Sequence, residues 1–284
     1  MRNQDPQPKP FTHLLLTRFN TAVQFAPTSS KRLNPNWLTA RLALFEQYCL
    51  PSVAGQRGAE FRWLVFFDAG SPDWFKEKIA AYAPLVVPIY IDGLATDAVI
   101  ARRVRETGFV SSPYLITTRL DNDDAISSDH LASVQAAFRH QEREFVTFPF
   151  GIQSFRGHLY SVYWVSNPFL SLIEKVGDGG QVTTVFCIYH DRVGSTRQLR
   201  KVARSSQWLQ VLHETNFSNA LRGWPRLSSQ SDPAFDVIWP EERPSDSIAG
   251  RLRFSVYRYM VRAGNLIAKT FARRKAQQDA AGVS

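Results

Sequence analysis

The segment from Leu115 to Ala125 holds the densest group of reactive side chains in the sequence. Three carboxylates and an amide occupy consecutive positions in Asp121-Asn122-Asp123-Asp124. In an extended chain alternate side chains lie on one side, so Asp121 and Asp123 are expected to face the same point. Carboxylate oxygens suit Mg²⁺ and Mn²⁺, which also take phosphate oxygens. The motif therefore predicts a divalent-metal site whose shell is completed by an anion such as a nucleotide diphosphate.

A structural role is the alternative for the same residues. Such a stretch after a strand is also typical of a turn and a helix N-cap, here ahead of Ser127-Ser128-Asp129. We expect Asp123 to be a direct metal ligand. Asp121 is expected at the metal, at a metal-bound water or at the ribose. Asp124 is predicted to cap the following helix, with a second ligand as the alternative, and Asn122 to be a turn residue.

The segments that position this motif alternate between strand and helix patterns. Strands are predicted at residues 11–17, 61–67, 85–91 and 114–120. Helices are predicted from Trp37 to a stop at Pro51, after Ser71-Pro72-Asp73, and over 96–109. This alternation indicates an α/β fold with a mostly parallel central sheet. The motif then follows the fourth strand, at the sheet edge where open α/β folds bind ligands.

The second half of the chain shows a different pattern, which we interpret as an antiparallel part. Strands are predicted at 145–150, 159–165, 182–189 and 208–213, and helices at 128–139 and from Phe169. We therefore expect a flexible N-terminus (1–10), a half that would hold a nucleotide sugar (11–130), a half of the same domain that would shape an acceptor site (131–245) and a C-terminal tail (246–284).

Composition favours one large intracellular domain. The 284 residues are 44% hydrophobic, enough for a sizeable core. Cys49 and Cys187 lie in apolar surroundings and are predicted to be buried free thiols. They lack the paired spacing of a zinc site. Residues 1–10 lack the apolar stretch of a signal peptide, and no run of 18 apolar residues is found. We therefore expect a cytoplasmic protein.

The net charge of +9 is concentrated in the tail. Residues 248–284 hold eight Lys or Arg residues and one acid, Asp279, so they carry +7 of that charge. Helical spacing over 248–271 places Leu252, Val256 and Met260 on one stripe, with the basic residues opposite. This pattern is typical of a peripheral helix on an anionic membrane surface, although the stripe would also fit packing on the domain. Nucleic-acid binding is not expected, because the body has no basic stripe.

Several ordered motifs together resemble the putative rhamnosyltransferase family, a bacterial group of GT-A-type glycosyltransferases. The resemblance covers residues 12–225. The motifs are Arg18-Phe19-Asn20, the Trp37 helix, the 61–68 strand ending in Asp68, Thr118-Arg-Leu-Asp-Asn-Asp-Asp124 and Trp208-Leu-Gln-Val-Leu-His213. The family implies a GT-A-like fold that binds a TDP-, UDP- or GDP-sugar donor, with Mn²⁺ or Mg²⁺ held by the Asp-x-Asp carboxylates. The enzyme would transfer the sugar, which the family name gives as rhamnose, to a glycan or lipid-linked acceptor of bacterial surface polysaccharide.

Four further positions are candidates for holding the donor and its metal. His213 matches the late histidine of the family and is the predicted third metal ligand, with His190 as the alternative. Arg18 at the end of the first strand suits phosphate, or a surface ion pair. Asp68 is expected at the base or ribose, or at a helix N-terminus. Arg119 is expected to pair with the motif or with the donor.

The general base is less defined than the donor site. If the enzyme inverts configuration, a carboxylate must accept the acceptor's proton. Asp191 beside His190 and Glu214 beside His213 are the candidates. A retaining enzyme would need neither.

Two other function classes compete with the transferase. A non-catalytic nucleotide- or glycan-binding module of the same fold would be expected to have a degraded acidic motif. A GT-A-like nucleotidyltransferase usually has a Gly-rich loop after its first strand, and residues 18–30 contain none.

Overall fold

Two β-sheets and five short α-helices form the part of the chain that we describe from a computed structural model, namely residues 10–23, 31–213, 220–226 and 231–240, with 249, 252 and 256. The strands are β1 Phe11–Arg18, β2 Arg62–Asp68, β3 Val86–Ile91, β4 Tyr114–Arg119, β5 Ala125–Ile126, β6 Arg143–Thr147, β7 Phe150–Phe155, β8 His158–Tyr163, β9 Ser171–Lys175, β10 Leu199–Lys201, β11 Trp208–Leu212 and β12 Trp224–Pro225. The helices are α1 Pro35–Leu44, α2 Leu50–Ala54, α3 Asp73–Ala80, α4 Asp97–Glu106 and α5 His130–Gln135.

The central sheet has seven strands in the order β10-β6-β9-β4-β1-β2-β3. Strands β4, β1, β2 and β3 are parallel, while β9 runs antiparallel between β4 and β6. Leu14, Leu15 and Leu16 of β1 are all fully buried, as expected for a strand covered on both faces. The predicted α/β fold with a mostly parallel central sheet is confirmed.

The order of the strands reverses beside β1. The chain adds β2 and β3 on one side of β1 and then returns to place β4 on the other. In such sheets the loops after the two strands at the reversal diverge and leave a crevice. Arg18 ends β1 and Arg119 ends β4, so both residues lie at this crevice.

The second sheet has five strands in the order β12-β8-β7-β11-β5. Trp208 of β11 is fully buried, and its ring stacks on Phe169 at 5.0 Å between centroids and 11° between planes. A Cβ atom on Gly151 of β7 would overlap the Trp208 ring. Gly151 therefore provides the space in which Trp208 packs.

One predicted helix end is wrong, because the helix does not stop at Pro51. A π-helical turn, Phe45–Cys49, follows α1, and α2 continues to Ala54. Pro51 lies in the first turn of α2. Proline is tolerated there because its missing N–H would have no partner in the helix.

Two predictions in the second half are also wrong. The helix expected from Phe169 is instead β9, which pairs with β4 and β6, and a fully buried apolar run fits either structure. The strand expected at 182–189 is an irregular segment with 3₁₀ turns at Val185–Cys187 and His190–Ser195. There, the N–H groups of residues 183 and 184 donate to the Glu174 carboxylate rather than to a strand.

Three predictions fall outside the described residues: the flexible segment 1–9, Glu214 and most of the tail. Cys49 and Cys187 form no disulfide; Cys49 is buried, as predicted, whereas Cys187 is only partly buried. Within the described ranges, no helix is long and apolar enough to cross a bilayer.

Candidate functional site

A cleft of about 550 Å³ lies at the ends of β1 and β4, and both halves of the chain line it. The first half contributes Arg18, Asn20, Arg32, Trp37 and Arg41, and the acidic motif Asp121–Asp124. The second half contributes Trp164, Ser166, His190, Asp191, Gln210 and Arg222. The structure thus brings Arg18, Arg119, Asp121, Asp123 and Asp191 of the predicted site to one cleft.

The acidic motif connects the two sheets. It follows β4 of the central sheet and leads directly into β5 of the second sheet. Asp124 is buried, and its carboxylate accepts the N–H of Val211 in β11 at 2.9 Å. The cap predicted for Asp124 is therefore wrong, because α5 begins only at His130. Burial, followed by Asp123 and Asp121, raises the pKa of Asp124 well above its usual range.

Asp123 and His213 meet because β5 and β11 are antiparallel. Leu209 pairs with Ala125, so the residues beyond β11 return alongside the acidic motif. Asp123 Oδ2 and His213 Nε2 are 2.8 Å apart. This contact brings together the first-choice metal ligand and the late histidine of the sequence analysis.

Arg41 is the second hydrogen-bonding partner of Asp123. It lies on α1 with only 9% of its side chain exposed, and Nη1 donates to Asp123 Oδ2 and, at 3.4 Å, to Asn122 Oδ1. Burial alone would raise the pKa of Asp123, but His213 and Arg41 lower it below the usual value. Asp123 is therefore held as a buried anion between two partners.

Two of the three predicted metal ligands, Asp123 and His213, lie side by side, but their 2.8 Å contact is a hydrogen bond. Arg41 donates to the same carboxylate oxygen. Among the described residues, no group of three or more His, Cys, Asp or Glu side chains is arranged to hold a metal. An ion at this pair would replace the hydrogen bond between the two side chains and would take its remaining ligands from a bound anion or from water.

Asp121 is held apart from that pair by Arg119. The guanidinium donates to Oδ1 at 3.0 and 3.1 Å and to Oδ2 at 2.9 Å. Both carboxylate oxygens of Asp121 thus accept hydrogen bonds from Arg119, the last residue of β4. Of the alternatives for Arg119, pairing with the motif is the one that the structure contains.

Arg18 is a partly buried cation that lines the cleft. Its guanidinium lies 4.5 Å from the Phe186 ring centroid, and the described residues form no ion pair with it. Burial, together with the like charge of Arg119, lowers the pKa of Arg18 from 12.5 to about 10. At neutral pH Arg18 is still charged, but its charge is less stable than it would be in water.

Asp68 reaches the cleft only through another residue. It is buried, does not line the cleft, and accepts from Arg32 Nε at 2.7 Å and from the N–H of Gly70 at 2.8 Å. Arg32 does line the cleft. Asp68 therefore does not face the position predicted for the nucleotide. Arg32, which is bonded to Asp68, lines the cleft in its place.

His190 and Asp191 share the 3₁₀ turn beside Arg119. His190 Nδ1 lies 3.4 Å from Arg119 Nη1. Burial and then the charge of Arg119 lower the pKa of His190 from 6.5 to about 4, so the imidazole is neutral near pH 7. Asp191 is exposed at the cleft, and it is the candidate base that the described residues contain.

The sequence analysis missed Arg41, Arg32, Trp164 and Arg222. A signal existed for Arg41, since it lies three residues after Leu38 and four before Phe45 on the apolar face of its helix. A charge on such a face needs a buried partner. No comparable signal marked Trp164 and Arg222, whose contact joins distant parts of the chain.

Comparison with known proteins gives one family match. The family model described as "Putative rhamnosyl transferase" matches residues 11–225. No curated protein sequence matches the chain.

Several solved structures match this chain at low sequence identity. Against S. aureus TarS 1-349 in complex with UDP-GlcNAc, the identity is 10% and the TM-score 0.42, over 73% of this chain and 60% of that one. This chain therefore spans less than two thirds of that relative. The structure titled putative nucleotide-diphospho-sugar transferase from Desulfovibrio desulfuricans G20 is 13% identical, with a TM-score of 0.37 over 70% of this chain and 82% of that one. HddC from Yersinia pseudotuberculosis is 8% identical, with a TM-score of 0.35 over 70% and 93%.

Proposed function

The chain belongs to the putative rhamnosyl transferase family of glycosyltransferases, and from that premise we propose that its cleft binds a nucleotide-diphosphate sugar and transfers the sugar to an acceptor hydroxyl. The donor is a TDP-, UDP- or GDP-sugar, with rhamnose the sugar that the family name indicates. The acceptor is a glycan or lipid-linked saccharide of bacterial surface polysaccharide.

The observation that carries this proposal is the state of Arg18. A partly buried guanidinium with a lowered pKa, stacked on Phe186, is a site suited to an anion. A diphosphate in the crevice after β1 and β4 would supply that anion and stabilise the charge of Arg18. Arg119 lies beside it and would offer a second guanidinium by sharing or releasing Asp121.

A divalent ion is part of the proposal. Asp123 and His213 would hold Mn²⁺ or Mg²⁺, which when bound stabilises the negative charge that develops on the departing diphosphate. Arg41 keeps the Asp123 carboxylate ionised and in place.

Asp191 is the proposed base if the reaction inverts configuration. Its position at the cleft beside His190 supports the role. Neutral His190 between Arg119 and Trp164 would hold the shape of this side of the cleft.

We also propose that the tail attaches the enzyme to an anionic membrane surface on the cytoplasmic face. Two apolar residues of its predicted stripe, Leu252 and Val256, are helical and are 39% and 45% exposed. A stripe buried on the domain would have less exposure. Basic residues on the opposite side would then contact anionic lipid headgroups.

A thermal-shift assay tests the donor proposal directly. We expect UDP, TDP or GDP with Mn²⁺ to raise the melting temperature, and the same nucleoside without phosphate to leave it unchanged. If no nucleoside diphosphate raises the melting temperature, the proposed donor site is wrong.

A further inference from the structure

Three residues of the second half form a cluster in the cleft that the donor does not require. The Arg222 guanidinium carbon lies 4.2 Å from the centre of the Trp164 ring, and the His190 ring meets Trp164 edge-on at 5.9 Å. All three line the cleft. We call Trp164, His190 and Arg222 the Trp164 cluster.

Hydrogen bonds through Gln153 hold the backbone at Arg222 in position. Its backbone N–H donates to Gln153 Oε1 at 2.6 Å. Gln153 is fully buried and donates in turn to Gln210 Oε1 at 2.7 Å and to the Ala220 carbonyl at 3.1 Å. These bonds attach the segment around Arg222 to β7 and β11.

Gly223, the next residue, packs closely against β8. A Cβ atom on Gly223 would lie 2.7 Å from the Ser161 carbonyl oxygen and 2.8 Å from Tyr160 Cβ. Only glycine lets the backbone approach β8 so closely. Arg222 is therefore presented at the cleft by a built local structure and not by a chance loop conformation.

The cluster can bind both an apolar and an anionic part of a ligand. An indole ring offers an apolar surface that suits the C–H face of a sugar, and Arg222 covers only one face of the Trp164 ring. A guanidinium stacked in this way still presents its N–H groups, which bind phosphate or carboxylate through paired hydrogen bonds. The charge of Arg222 is also felt at His190, where it adds to burial and Arg119 in lowering the pKa. The cation thus acts within the cleft.

Resting on the proposed function, we propose that the Trp164 cluster is the acceptor subsite and that it selects a sugar bearing an anionic substituent. The sugar ring lies against Trp164 and its phosphate or carboxylate binds Arg222. The anion can come from a lipid-linked sugar phosphate or from an acidic sugar, because both present the same paired oxygens.

Binding of matched sugar pairs tests this subsite. The probes are N-acetylglucosamine against its 1-phosphate, and glucose against glucuronate, measured by ligand-observed NMR on the full chain with Mn²⁺ and a saturating nucleoside diphosphate. We expect the anionic member of at least one pair to bind about 10-fold more tightly, as one paired charge-assisted contact provides. Preference for the phosphate alone indicates a sugar phosphate, and preference for glucuronate indicates an acidic sugar.

Variants separate the two parts of the cluster. Arg222→Gln should remove the preference for the anion and keep binding of the neutral sugars, whereas Trp164→Ala should weaken both members of each pair. Arg62→Gln is the matched control, because Arg62 also stacks on a ring, that of Phe109 at 4.4 Å, but lies outside the cleft. Equal binding of neutral and anionic probes, or a preference that survives Arg222→Gln, would overturn the subsite. Failure of the nucleoside diphosphate to bind in the same samples would instead refute the donor proposal.

Discussion

Asp123 Oδ2 and His213 Nε2 lie 2.8 Å apart although 90 positions separate the two residues in the sequence. Their contact exists because the acidic motif leaves the central sheet and enters the second sheet, where β11 returns beside it. Arg41 from α1 completes the group. The candidate site is therefore assembled from three distant segments and depends on both sheets being formed.

The buried pair of Arg41 with Asp123 should contribute to stability as well as to the site. Arg41→Met leaves Asp123 ionised and buried with one cation fewer, so we expect the free energy of unfolding to fall by about 3 kcal/mol. Urea denaturation measures the change. Arg102→Met, at a 60% exposed residue that pairs with Glu106 on α4, should cost less than about 1 kcal/mol. Equal losses in the two variants would contradict a buried pair.

Arg18 should recognise the diphosphate in particular. Arg18→Gln is expected to weaken binding of a nucleoside diphosphate about 10-fold or more, and to change binding of the nucleoside much less, since one charge-assisted contact is lost. Isothermal titration with UDP, TDP or GDP and with the matching nucleoside gives both affinities. Arg62→Gln again serves as the control. If Arg18→Gln lowered the affinities for the nucleoside and for its diphosphate by the same factor, Arg18 would not contact the phosphates.

His130 should make stability fall in mild acid. Burial lowers its pKa from 6.5 to about 4, and the hydrogen bond to the Gln207 carbonyl opposes that shift only in part. Between those two pH values the unfolded chain binds a proton that the folded chain does not. Stability should therefore decline as the pH falls from about 6.5 to about 4, by about 3 kcal/mol in total.

Replacing His130 isolates its share of that decline. His190 has a lowered pKa as well and contributes with the same sign. In urea midpoints measured from pH 7 to pH 5, His130→Gln should flatten the slope relative to the unmodified chain. An unchanged slope would mean that His130 does not titrate as its burial requires.

The tail should control membrane attachment. A chain ending at Ser247 loses +7 of the +9 net charge and the apolar stripe together. In flotation with vesicles containing anionic lipid, we expect the full chain to float and the shortened chain to remain at the bottom, each about as stable as the other. Flotation of both would rule out the tail as the anchor.

Much of the fold was predictable because its signals are local. Apolar runs predicted β1 to β4, and Ser71-Pro72-Asp73 marked the start of α3. The failures occurred where local signals are ambiguous. The run after Phe169 is buried throughout and carries no period that separates helix from strand. Residues 182–189 look like a strand, but Glu174 takes their backbone N–H groups.

The site was predictable in its first half and not in its second. Asp121, Asp123 and Arg18 follow strands of the central sheet, so their convergence follows from the α/β topology. The side chains that contact those residues cannot be predicted from the topology. Arg41 approaches from a helix, and the contact of Trp164 with Arg222 depends on the packing of the second sheet. The spacing of residues along the sequence gives no signal for such contacts.

Release of nucleoside diphosphate from a panel of TDP-, UDP- and GDP-sugars, in the presence of Mn²⁺, tests the central claim most directly. We predict that the unmodified chain turns over at least one of these donors. Asp123→Asn, which keeps the shape of the side chain and removes its charge, should slow that turnover about 100-fold or more by disrupting both the ion's ligand and the Arg41 contact. Turnover that is unchanged by Asp123→Asn, in a variant shown to be folded, would contradict the proposed site.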